Sequence, residues 1–335
     1  MVTKNHNARY FQIINKMSVN EKPLKIACIG EAMIEMIVNP ETFTANLDVA
    51  GDVLNVSIYL RRNLDAKHTV SFFSTVGTDT MSDHIVERVQ SEGISTQNLQ
   101  RHPHKVPGIY SIQTAADGER SFCYWRNDSA ARTMFSTPQG PDFSSLNGYD
   151  VVFFSAITLA ILPQPVRDGL FDWISGFRTR GGRIAFDSNF RPSLWENIET
   201  TQTEVTRAWS VTDIALPSVD DEMGIFLDID EEAVLGRLRA SGVRLGALKR
   251  GAKGPLAISF QGMDQIDYPV ARHVVDTTAA GDSFDGAFLA SYLTHNDHGA
   301  AMKAGHECSL KVIGYRGAII PRIDEVTDTF DGIVR

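Results

Sequence analysis

The stretch Asp276-Thr277-Thr278-Ala279-Ala280-Gly281-Asp282-Ser283-Phe284 places small residues and one carboxylate where a loop turns into an apolar helix. Ala279, Ala280 and Gly281 have little or no side chain, so their backbone N–H groups can lie bare at the helix N-terminus, where the helix dipole favours an anion. A carboxylate at Asp282 would be well placed to accept a proton from a hydroxyl that attacks phosphorus. Taken alone, the motif is equally compatible with an ordinary capped helix start.

Outward from this junction, the chain alternates between short apolar runs and helix-length segments. One helix is predicted from Asp52, which can cap it, to Asn63, and another over residues 80–92. This alternation is typical of βαβ units and predicts an α/β fold with a doubly wound, mostly parallel sheet. Ligands of such a sheet lie at the carboxyl ends of its strands. The predicted strands are residues 24–29, 69–76, 150–155, 183–187, 213–216 and 244–249.

Two segments break this rhythm. Residues 33–49 and 108–125 show strand-like alternation, and Asp117-Gly118 between two apolar runs is a hairpin signal. We expect these residues to form a small sheet outside the main one. From the residues alone, this sheet is either a peripheral extension or a cover over a ligand site.

Composition excludes several classes of protein. The chain has 335 residues, 43% of them hydrophobic, and a formal charge of −9 from 41 acidic and 32 basic residues. Nucleic acid and anionic membranes are therefore not expected as partners, because no long basic run is present to bind them. Cys28, Cys123 and Cys308 are odd in number and widely spaced, which favours reduced, mostly packed thiols in a cytoplasm over a metal site or a disulfide framework.

The N-terminal residues are not expected to form a targeting signal. Residues 1–22 are polar and are expected to form a loose extension, and residues 23–335 to form one domain. No apolar run approaches the ~20 residues of a membrane span, and the N-terminus lacks the apolar core of a signal peptide. We therefore expect a cytoplasmic protein.

Several motifs together resemble the PfkB, or ribokinase-like, family of sugar kinases. The resemblance covers about Lys25 to Arg322, and its combination of motifs is most similar to family members that act on 2-keto-3-deoxygluconate. It implies a ribokinase-like fold with a lid over the sugar site, use of ATP and Mg²⁺, and a homo-oligomer formed through paired lids. Besides the stretch quoted first, the motifs are Gly51-Asp52-Val53-Leu54-Asn55, Tyr124-Trp125-Arg126-Asn127, Phe154-Ser155-Ala156-Ile157-Thr158-Leu159-Ala160, Phe186-Asp187-Ser188-Asn189-Phe190-Arg191-Pro192 and Tyr315-Arg316-Gly317-Ala318.

By this resemblance, Asp282 is the catalytic base, and Ala279, Ala280 and Gly281 bind the transferred phosphate. The commoner family pattern has glycine at one of the two alanine positions. An alanine still exposes its N–H, so we expect that no backbone conformation reachable only by glycine is required there.

The resemblance places the sugar site in the first part of the chain. Gly51, Asp52 and Asn55 would contact sugar hydroxyls, although the family has Gly-Gly where this chain has Ala50-Gly51, which puts a backbone contact at Ala50 in doubt. Read without the family, Asp52 is better explained as a helix N-cap.

The resemblance also places three lid residues, Tyr110, Tyr124 and Arg126, at a substrate carboxylate. Arginine can bind a planar carboxylate through two parallel hydrogen bonds, and a neutral hexose would not need it. The alternative is a surface arginine with two half-buried tyrosines.

On the nucleotide side, Asp187, Asn189 and Arg191 alternate along a strand end, so their side chains would share one face. By resemblance, Asn189 contacts the nucleotide and Arg191 stabilises phosphate charge while contacting substrate. A purely structural pair of Asp187 with Arg191 is the alternative.

The segment Lys249-Arg250-Gly251-Ala252-Lys253-Gly254 resembles the family's turn beside ATP, with Lys249, Gly251 and Gly254 as nucleotide-binding residues. The P-loop spacing is absent, which excludes a Walker-type kinase. By resemblance the base would also border the helix at residues 306–311, although His306 alone fits a helix surface equally well.

The expected metal contact is a single carboxylate. Many family members have Asn-x-x-Glu near Mg²⁺, and the matching segment here is Ser218-Val219-Asp220-Asp221, which keeps the acid and loses the amide. Asp221 would reach Mg²⁺ through water, for which a shorter acid suffices. Whether K⁺ is also needed stays open.

These inferences together predict ATP-dependent phosphorylation of the 6-hydroxyl of 2-keto-3-deoxygluconate. The alternatives are the same mechanism on another sugar, such as 2-keto-gluconate or fructose, and a catalytically silent regulator that binds a sugar acid. A nucleotide-dependent oxidoreductase ranks far behind, because the first strand ends in Gly30-Glu31-Ala32-Met33 without the dinucleotide fingerprint.

Overall fold

The computed structural model describes residues 22–39, 41–114, 120–258 and 268–322. Most of the predicted strands are present within one or two residues of their expected bounds. The strands are β1 (Lys25–Ile29), β2 (Met33–Asn39), β3 (Thr44–Ala50), β4 (Thr69–Val76), β5 (Leu99–Arg101), β6 (Gly108–Thr114), β7 (Arg120–Trp125), β8 (Val151–Ser155), β9 (Arg183–Asp187), β10 (Ile214–Ala215), β11 (Ala247–Leu248) and β12 (Leu256–Ala257).

Helices follow most of these strands. Short 3₁₀ turns cover Ala130–Thr133, Ser144–Leu146, Pro192–Leu194 and Gly251–Lys253. No helix in the described ranges is long and apolar enough to cross a membrane. The α-helices are α1 (Asp52–Asn63), α2 (Thr80–Ser91), α3 (Ala156–Ile161), α4 (Gln164–Thr179), α5 (Ile198–Val211), α6 (Val219–Phe226), α7 (Glu231–Ala240), α8 (Ala280–His295) and α9 (His298–Val312).

The central sheet is the predicted doubly wound parallel sheet. Its six strands lie in the order β10-β9-β8-β1-β4-β5, and every neighbouring pair is parallel. The two predicted strands nearest the C-terminus are shorter than expected. Residues 213–216 give only β10, and residues 244–249 give only β11, which pairs antiparallel with β12. Isolated parallel bridges, Ala215 with Gly246 and Ser218 with Lys249, join this last segment to the sheet edge.

Helices cover both faces of the sheet, and alternate residues of each buried strand enter different cores. Along β1, Ala27 and Ile29 belong to one buried cluster, which also includes apolar residues of α3 to α7. Ile26 and Cys28 belong to a second cluster with residues of α1, α2, α8 and α9. A strand buried on both faces needs a continuous apolar run, as the sequence of β1 has.

The two segments that break the βαβ rhythm form a separate four-stranded sheet, here called the lid sheet. Its strand order is β3-β2-β6-β7, with β2 and β6 parallel and both outer pairs antiparallel. The antiparallel pairing of β6 with β7 agrees with the predicted hairpin, whose turn at Asp117-Gly118 lies outside the described residues. The predicted N-terminal extension also lies outside them, except for residue 22.

The three cysteines are unpaired. Cys28 is buried within β1, Cys308 is partly buried, and Cys123 is exposed on the lid sheet. Burial raises the pKa of the Cys28 thiol, so this group stays protonated and inert. The prediction of packed thiols therefore holds for Cys28 and in part for Cys308, and it is wrong for Cys123.

Helix α8 packs very closely against α1, and glycine permits this approach. A Cβ atom on Gly286 would lie 2.7 Å from the backbone of α1 at Val56 and Leu60. The N-terminus of α8 is thereby brought beside the N-terminus of α1, near the carboxyl ends of the central strands. Polar residues from distant parts of the chain meet at this edge of the sheet.

Candidate active site

The turn before α8 leaves two of the three predicted amides available to an anion. Ala279 is the N-cap residue of α8. The Ala280 N–H donates to the Thr277 carbonyl over 3.2 Å, so the prediction of a bare amide is wrong at Ala280, because the turn closes on itself there. Within the described part of the chain, the N–H groups of Ala279 and Gly281 have no hydrogen-bond partner. They lie at the positive end of the helix dipole.

Ala279 adopts a left-handed backbone conformation, with φ 58° and ψ 18°. This conformation favours glycine but is not reachable by glycine alone, so the expectation about this turn holds. The left-handed region costs an L-amino acid about 1–2 kcal/mol, which a folded protein can tolerate at one residue. Alanine occupies the position under strain, where glycine would not be strained.

Asp276 ties this turn to a distant motif. Its carboxylate accepts hydrogen bonds from the Thr278 N–H at 3.0 Å and from the Gly317 N–H at 2.8 Å. Two of the motifs quoted for the family resemblance, at residues 276–284 and 315–318, are therefore in direct contact. This contact fixes the loop that presents the amides.

Asp282 lies in the first turn of α8, in a site where its carboxylate is hard to ionise. Its Oδ2 atom accepts a 2.8 Å hydrogen bond from the side-chain amide of Asn55 on α1. Burial, together with the nearby charge of Asp52, raises the pKa of Asp282 to about 7, while the Asn55 hydrogen bond acts in the opposite direction. A carboxylate with a pKa near neutrality is suited to general base catalysis.

Asp52 is the first residue of α1, and its side chain does not cap the helix. The N-cap residue is Gly51, and the helix start has no side-chain cap hydrogen bond. The carboxylate instead accepts hydrogen bonds from the Ser155 hydroxyl at the end of β8 and from the Asn189 amide at 3.2 Å. Burial raises the pKa of Asp52. The capping interpretation is therefore wrong, because the site offers Asp52 partners from two neighbouring strand ends.

Gly51 is required by the backbone beside it. A Cβ atom at this position would lie 2.2 Å from the carbonyl oxygen of Glu31. The close approach joins the start of α1 to the loop that follows β1. The missing side chain at Gly51 is thus explained by protein packing.

Lys249 lies between two buried carboxylates. Its Nζ atom is 3.0 Å from Asp187 Oδ2, at the end of β9, and 3.0 Å from both carboxylate oxygens of Asp285 on α8. Burial opposes the charge, but the two carboxylates more than offset it and raise the pKa of Lys249, so this residue is a fixed cation. Asp187 therefore pairs with Lys249, and the alternative pair with Arg191 is absent.

Asn189 and Arg191 lie beyond the strand on which the sequence analysis placed them. Strand β9 ends at Asp187, so the expected alternation along one face does not apply. The Asn189 side chain turns toward Asp52, whereas Arg191 is half exposed, donates to the Phe190 carbonyl at 2.7 Å and lies 3.9 Å from Asp221. Arg191 thus places an exposed guanidinium at the rim of this edge.

Asp221 is the only candidate metal contact that the sequence suggested. Burial, with the charge of Asp187 nearby, raises the pKa of Asp221 to about 6. In the described ranges no group of three or more His, Cys, Asp or Glu side chains could hold a metal ion. The donor set fits Mg²⁺ held by one carboxylate, water and nucleotide phosphates, since Mg²⁺ keeps several waters and needs few protein ligands.

Arg126 is buried, and its guanidinium is already paired. Arg126 and Glu31 are 5% and 1% exposed, and the arginine donates to Glu31 Oε2 through Nε, at 2.9 Å, and through Nη2. The surface interpretation of Arg126 is therefore wrong. Glu31 Oε1 and Arg126 Nη1 have no hydrogen-bond partner in the described part of the chain. A substrate carboxylate would meet an arginine oriented in advance by Glu31.

The two lid tyrosines differ in environment. Tyr110 is buried and donates its hydroxyl to Glu35, and burial raises its pKa. Tyr124 is half exposed and stacks on Tyr110 with ring centroids 5.6 Å apart. In this structure the Tyr110 hydroxyl is bound to protein, and Tyr124 is the more accessible of the two.

The predicted nucleotide-binding turn contains two different glycines. Gly251 has φ 55° and open space where a side chain would lie, whereas a Cβ atom on Gly254 would lie 2.8 Å from the Tyr268 ring. The ring of His306 packs against Tyr268, and His306 Nε2 bonds to the Pro269 carbonyl at 2.7 Å. His306 is thus buried, and the helix-surface interpretation is wrong. Only Gly251 leaves room for a ligand.

Sequence reasoning missed three polar residues at this edge: Glu31, Ser155 and Asp285. Each had a positional signal. Glu31 directly follows β1, Ser155 ends β8, and Asp285 is three residues after Asp282, which puts both acids on one helix face. Their partners could not be identified from the sequence, because all three partners are distant along the chain.

Comparison with known families gives one match along nearly the whole chain. The family model described as pfkB family carbohydrate kinase matches residues 23–325. The 2-dehydro-3-deoxygluconokinase of Dickeya dadantii is 39% identical over 303 residues, which are 88% of this chain and 96% of the relative. The enzyme of the same name from Escherichia coli K12 is 38% identical over 304 residues, covering 89% and 97%.

Solved structures share the fold. The fructokinase of Xylella fastidiosa with bound ATP superposes with a TM-score of 0.74 at 21% sequence identity, covering 88% of this chain and 93% of that one. At this identity the likeness concerns the fold alone. It includes the central parallel sheet flanked by helices.

Proposed function

This chain belongs to the pfkB family of carbohydrate kinases, and from that premise we propose that it transfers phosphate from ATP to the 6-hydroxyl of 2-keto-3-deoxygluconate, the sugar acid also called 2-dehydro-3-deoxygluconate. The product is 2-keto-3-deoxy-6-phosphogluconate. The observation that carries this function is the match, along nearly the whole chain, to two relatives named for this activity. The site geometry agrees with it.

The chemistry assigned to the site begins with Asp282. The 6-hydroxyl of the substrate would lie beside this carboxylate, which accepts the hydroxyl proton as the oxygen attacks the γ-phosphorus of ATP. A pKa of about 7 supports this role, because about half of the groups are ionised at neutral pH and the ionised form is basic enough to take a proton. Asn55 holds the carboxylate in place.

Three sources of positive potential would stabilise the phosphate charge. The turn presents the free amides of Ala279 and Gly281 at the positive end of the α8 dipole. Lys249 lies beneath this turn. Arg191 has the exposed, flexible stem needed to reach the transferred group from the rim. Donors fixed before the reaction stabilise developing charge without further reorganisation.

The nucleotide and its metal would occupy the remaining side of this edge. Gly251 leaves open space for the nucleotide, and Asn189, Lys249 and Gly254 border or support the same region. Mg²⁺ bound to ATP would neutralise phosphate charge, with Asp221 holding one of its waters. This role fits a single partly buried acid, since no cluster of metal ligands is present in the ranges that the structure describes.

Substrate specificity would come from the lid sheet and from α1. Arg126, oriented by Glu31, would bind the carboxylate of the sugar acid, and Tyr124 would cover it. Asp52 and Asn55 would contact hydroxyls, and Asn55 Oδ1 is a buried acceptor without a partner in the described part of the chain. Gly51 would act through packing, and Tyr110 through its stack with Tyr124.

The lid sheet also supports the proposed homo-oligomer. Ile37, Phe122 and Tyr124 lie on one face of this sheet and are 44%, 49% and 47% exposed. An apolar face of this kind suits a second copy of the lid. Light scattering should show that Phe122→Glu lowers the molar mass in solution, whereas Trp125→Gln on the opposite face does not. An unchanged molar mass in Phe122→Glu would contradict this interface.

The function is tested by ATP consumption. Purified protein with Mg²⁺ is offered 2-keto-3-deoxygluconate, 2-keto-gluconate, fructose and ribose, with Asp282→Asn beside the wild type. We expect preference for the keto-deoxy acid and loss of turnover by at least about 10³-fold in the variant. Turnover on neutral sugars alone would refute the carboxylate role of Arg126, and absence of turnover would favour a silent sugar-acid-binding regulator.

A further inference from the structure

A second buried carboxylate lies one helical turn after Asp282. The Asp285 side chain is 0% exposed, and both its oxygens are 3.0 Å from Lys249 Nζ. The same ammonium lies 3.0 Å from Asp187 Oδ2. One cation therefore joins α8 to the carboxyl end of β9, because it binds the carboxylates of both Asp285 and Asp187.

Lys249 is fixed along its backbone as well as at its ammonium. Its N–H donates to the Pro217 carbonyl at 2.8 Å, and its own carbonyl accepts from the Val219 N–H at 2.9 Å. Only the four-carbon stem of the side chain is free to move. The direction of that stem is decided by the two carboxylates at its end.

The ammonium lies directly under the turn that presents free amides. A Cβ atom on Gly281 would be 3.5 Å from Lys249 Nζ. In the described part of the chain, Lys249 is the only Lys or Arg that forms an ion pair with Asp187 or Asp285. Asp187 and Asp285 thus bind this cation directly beside the proposed phosphate position, and its charge also acts on Asp282.

We propose that Asp285 is a positioning residue for the phosphoryl transfer: its carboxylate holds the Lys249 ammonium under the Ala279–Gly281 turn, facing the terminal phosphate of ATP. This inference rests on the proposed kinase function. Without Asp285, the Lys249 ammonium has one buried partner and moves toward Asp187. The turn at residues 279–281 would then lose the positive charge below it, and bound phosphate would be displaced.

The binding test needs no sugar substrate. ATP, ADP and adenosine are titrated by calorimetry into wild type, Asp285→Ala and Asp285→Asn, each as full-length protein. We expect Asp285→Ala to weaken ATP binding about tenfold and adenosine binding less than twofold, because the displaced Lys249 ammonium no longer attracts phosphate. Asp285→Asn should recover most of the ATP affinity, since its amide oxygen still accepts from the ammonium.

Kinetics give the second readout. Asp285→Ala should lower kcat about 100-fold, as expected for a displacement of about 1 Å at the reacting group, and leave the KM for the sugar acid within about twofold. The matched control is Glu92→Ala, which removes another buried carboxylate, bound to Arg62, Arg88 and Arg322 far from this site. It should cost stability and leave kcat unchanged.

Unchanged kcat and ATP affinity in Asp285→Ala would overturn the inference, and so would equal losses for ATP and adenosine. If the alanine variant does not fold, Asp285→Ser replaces it, because a serine hydroxyl is too short to hold the ammonium, and the same thresholds apply. Failure of the proposed function gives a different result. If the wild type turns over no sugar acid but binds ATP more tightly than Asp285→Ala does, the proposed substrate is wrong and this inference still holds.

Discussion

The side-chain amide of Asn55 donates a 2.8 Å hydrogen bond to Asp282, across 227 residues of sequence. The two residues lie in the first turns of α1 and α8, which Gly286 allows to pack in close contact. The proposed base is therefore held by a residue proposed to touch the sugar. If both proposed roles hold, substrate recognition and proton transfer share one hydrogen bond.

Replacement of Asn55 by leucine should move the acid limb of the pH profile of kcat/KM to higher pH. The Asn55 hydrogen bond lowers the pKa of Asp282, which is about 7 in the wild type, so its loss raises that pKa. The base must be ionised to act, and activity falls as pH drops through its pKa. Measurement of kcat/KM over a pH series gives the position of the acid limb. An acid limb that does not move would show that Asp282 is not the group that titrates.

Asp282→Asn should make the protein more stable at pH 8 while it abolishes turnover. The folded state raises the pKa of Asp282 from 3.8 to about 7, mainly by burial, and so binds its proton more tightly than the unfolded chain does. Stability from this group is therefore greatest below pH 3.8 and is lost as pH rises to about 7.

The gain at pH 8 should lie between about 1 and 4 kcal/mol, since one pKa unit corresponds to about 1.4 kcal/mol. Urea unfolding at pH 8 and pH 5 measures it, and the gain should shrink at the lower pH. A variant less stable than wild type at pH 8 would show that ionised Asp282 stabilises the fold.

Ala279→Gly should stabilise the protein by about 1 kcal/mol, because it removes the strain of a left-handed alanine. Ala280→Gly is the matched control. Ala280 begins the helix proper and its φ is not positive, so glycine there should be neutral or destabilising. Denaturant midpoints of the two variants decide the matter, and a loss of stability in both would contradict the assigned conformation.

Gly51→Ala should destabilise the protein by about 3 kcal/mol or more, because the new Cβ would lie 2.2 Å from a backbone oxygen that cannot move aside. Gly236→Ala, in the exposed middle of α7, has open space around it and should stabilise by about 0.5–1 kcal/mol. Thermal unfolding of the pair tests the contrast. Equal effects would mean that the Gly51 contact relaxes freely.

Arg126→Met should destabilise the protein by about 3–5 kcal/mol, because it leaves the buried Glu31 carboxylate without its cation. The double variant Glu31→Gln with Arg126→Met should recover much of that loss, since no unpaired charge remains. Both should show a raised KM for the sugar acid. A double variant no more stable than Arg126→Met would mean that the ion pair itself carries little of the cost.

Most of the fold could be predicted from periodicity. Strands β1, β8 and β9 contain continuous apolar runs closed by polar residues or glycine, and a run of that kind has few alternatives to a strand buried on both faces. The segment at residues 244–249 was harder to predict. It crosses the sheet edge through isolated bridges and pairs with a two-residue strand, so its length depends on neighbours that the sequence does not reveal.

The structure brings several of the predicted site residues together, but their contacts could not be predicted. Asp282 and Lys249 could be proposed from the sequence because each lies in a recognisable motif. The partner of Arg126 was missed, because Glu31 is 95 residues away in the chain and meets it only through the packing of the lid sheet against the end of β1. The role of Asp52 as a cap was wrong for the same reason: its partners come from β8 and from the loop after β9.

The sequence by itself determined the βαβ order, the two-faced apolar strands, the lid strands and the small-residue turn before Asp282, because these depend on spacing and residue size within a few turns of chain. Tertiary structure alone decided which charges neutralise one another. Burial and close packing select the pairs Asn55 with Asp282, Glu31 with Arg126, and Lys249 with Asp187 and Asp285. Burial sets the pKa of the proposed base, and these pairings set the direction of each cation, since electrostatic interactions depend on distance and solvent exclusion in the folded molecule.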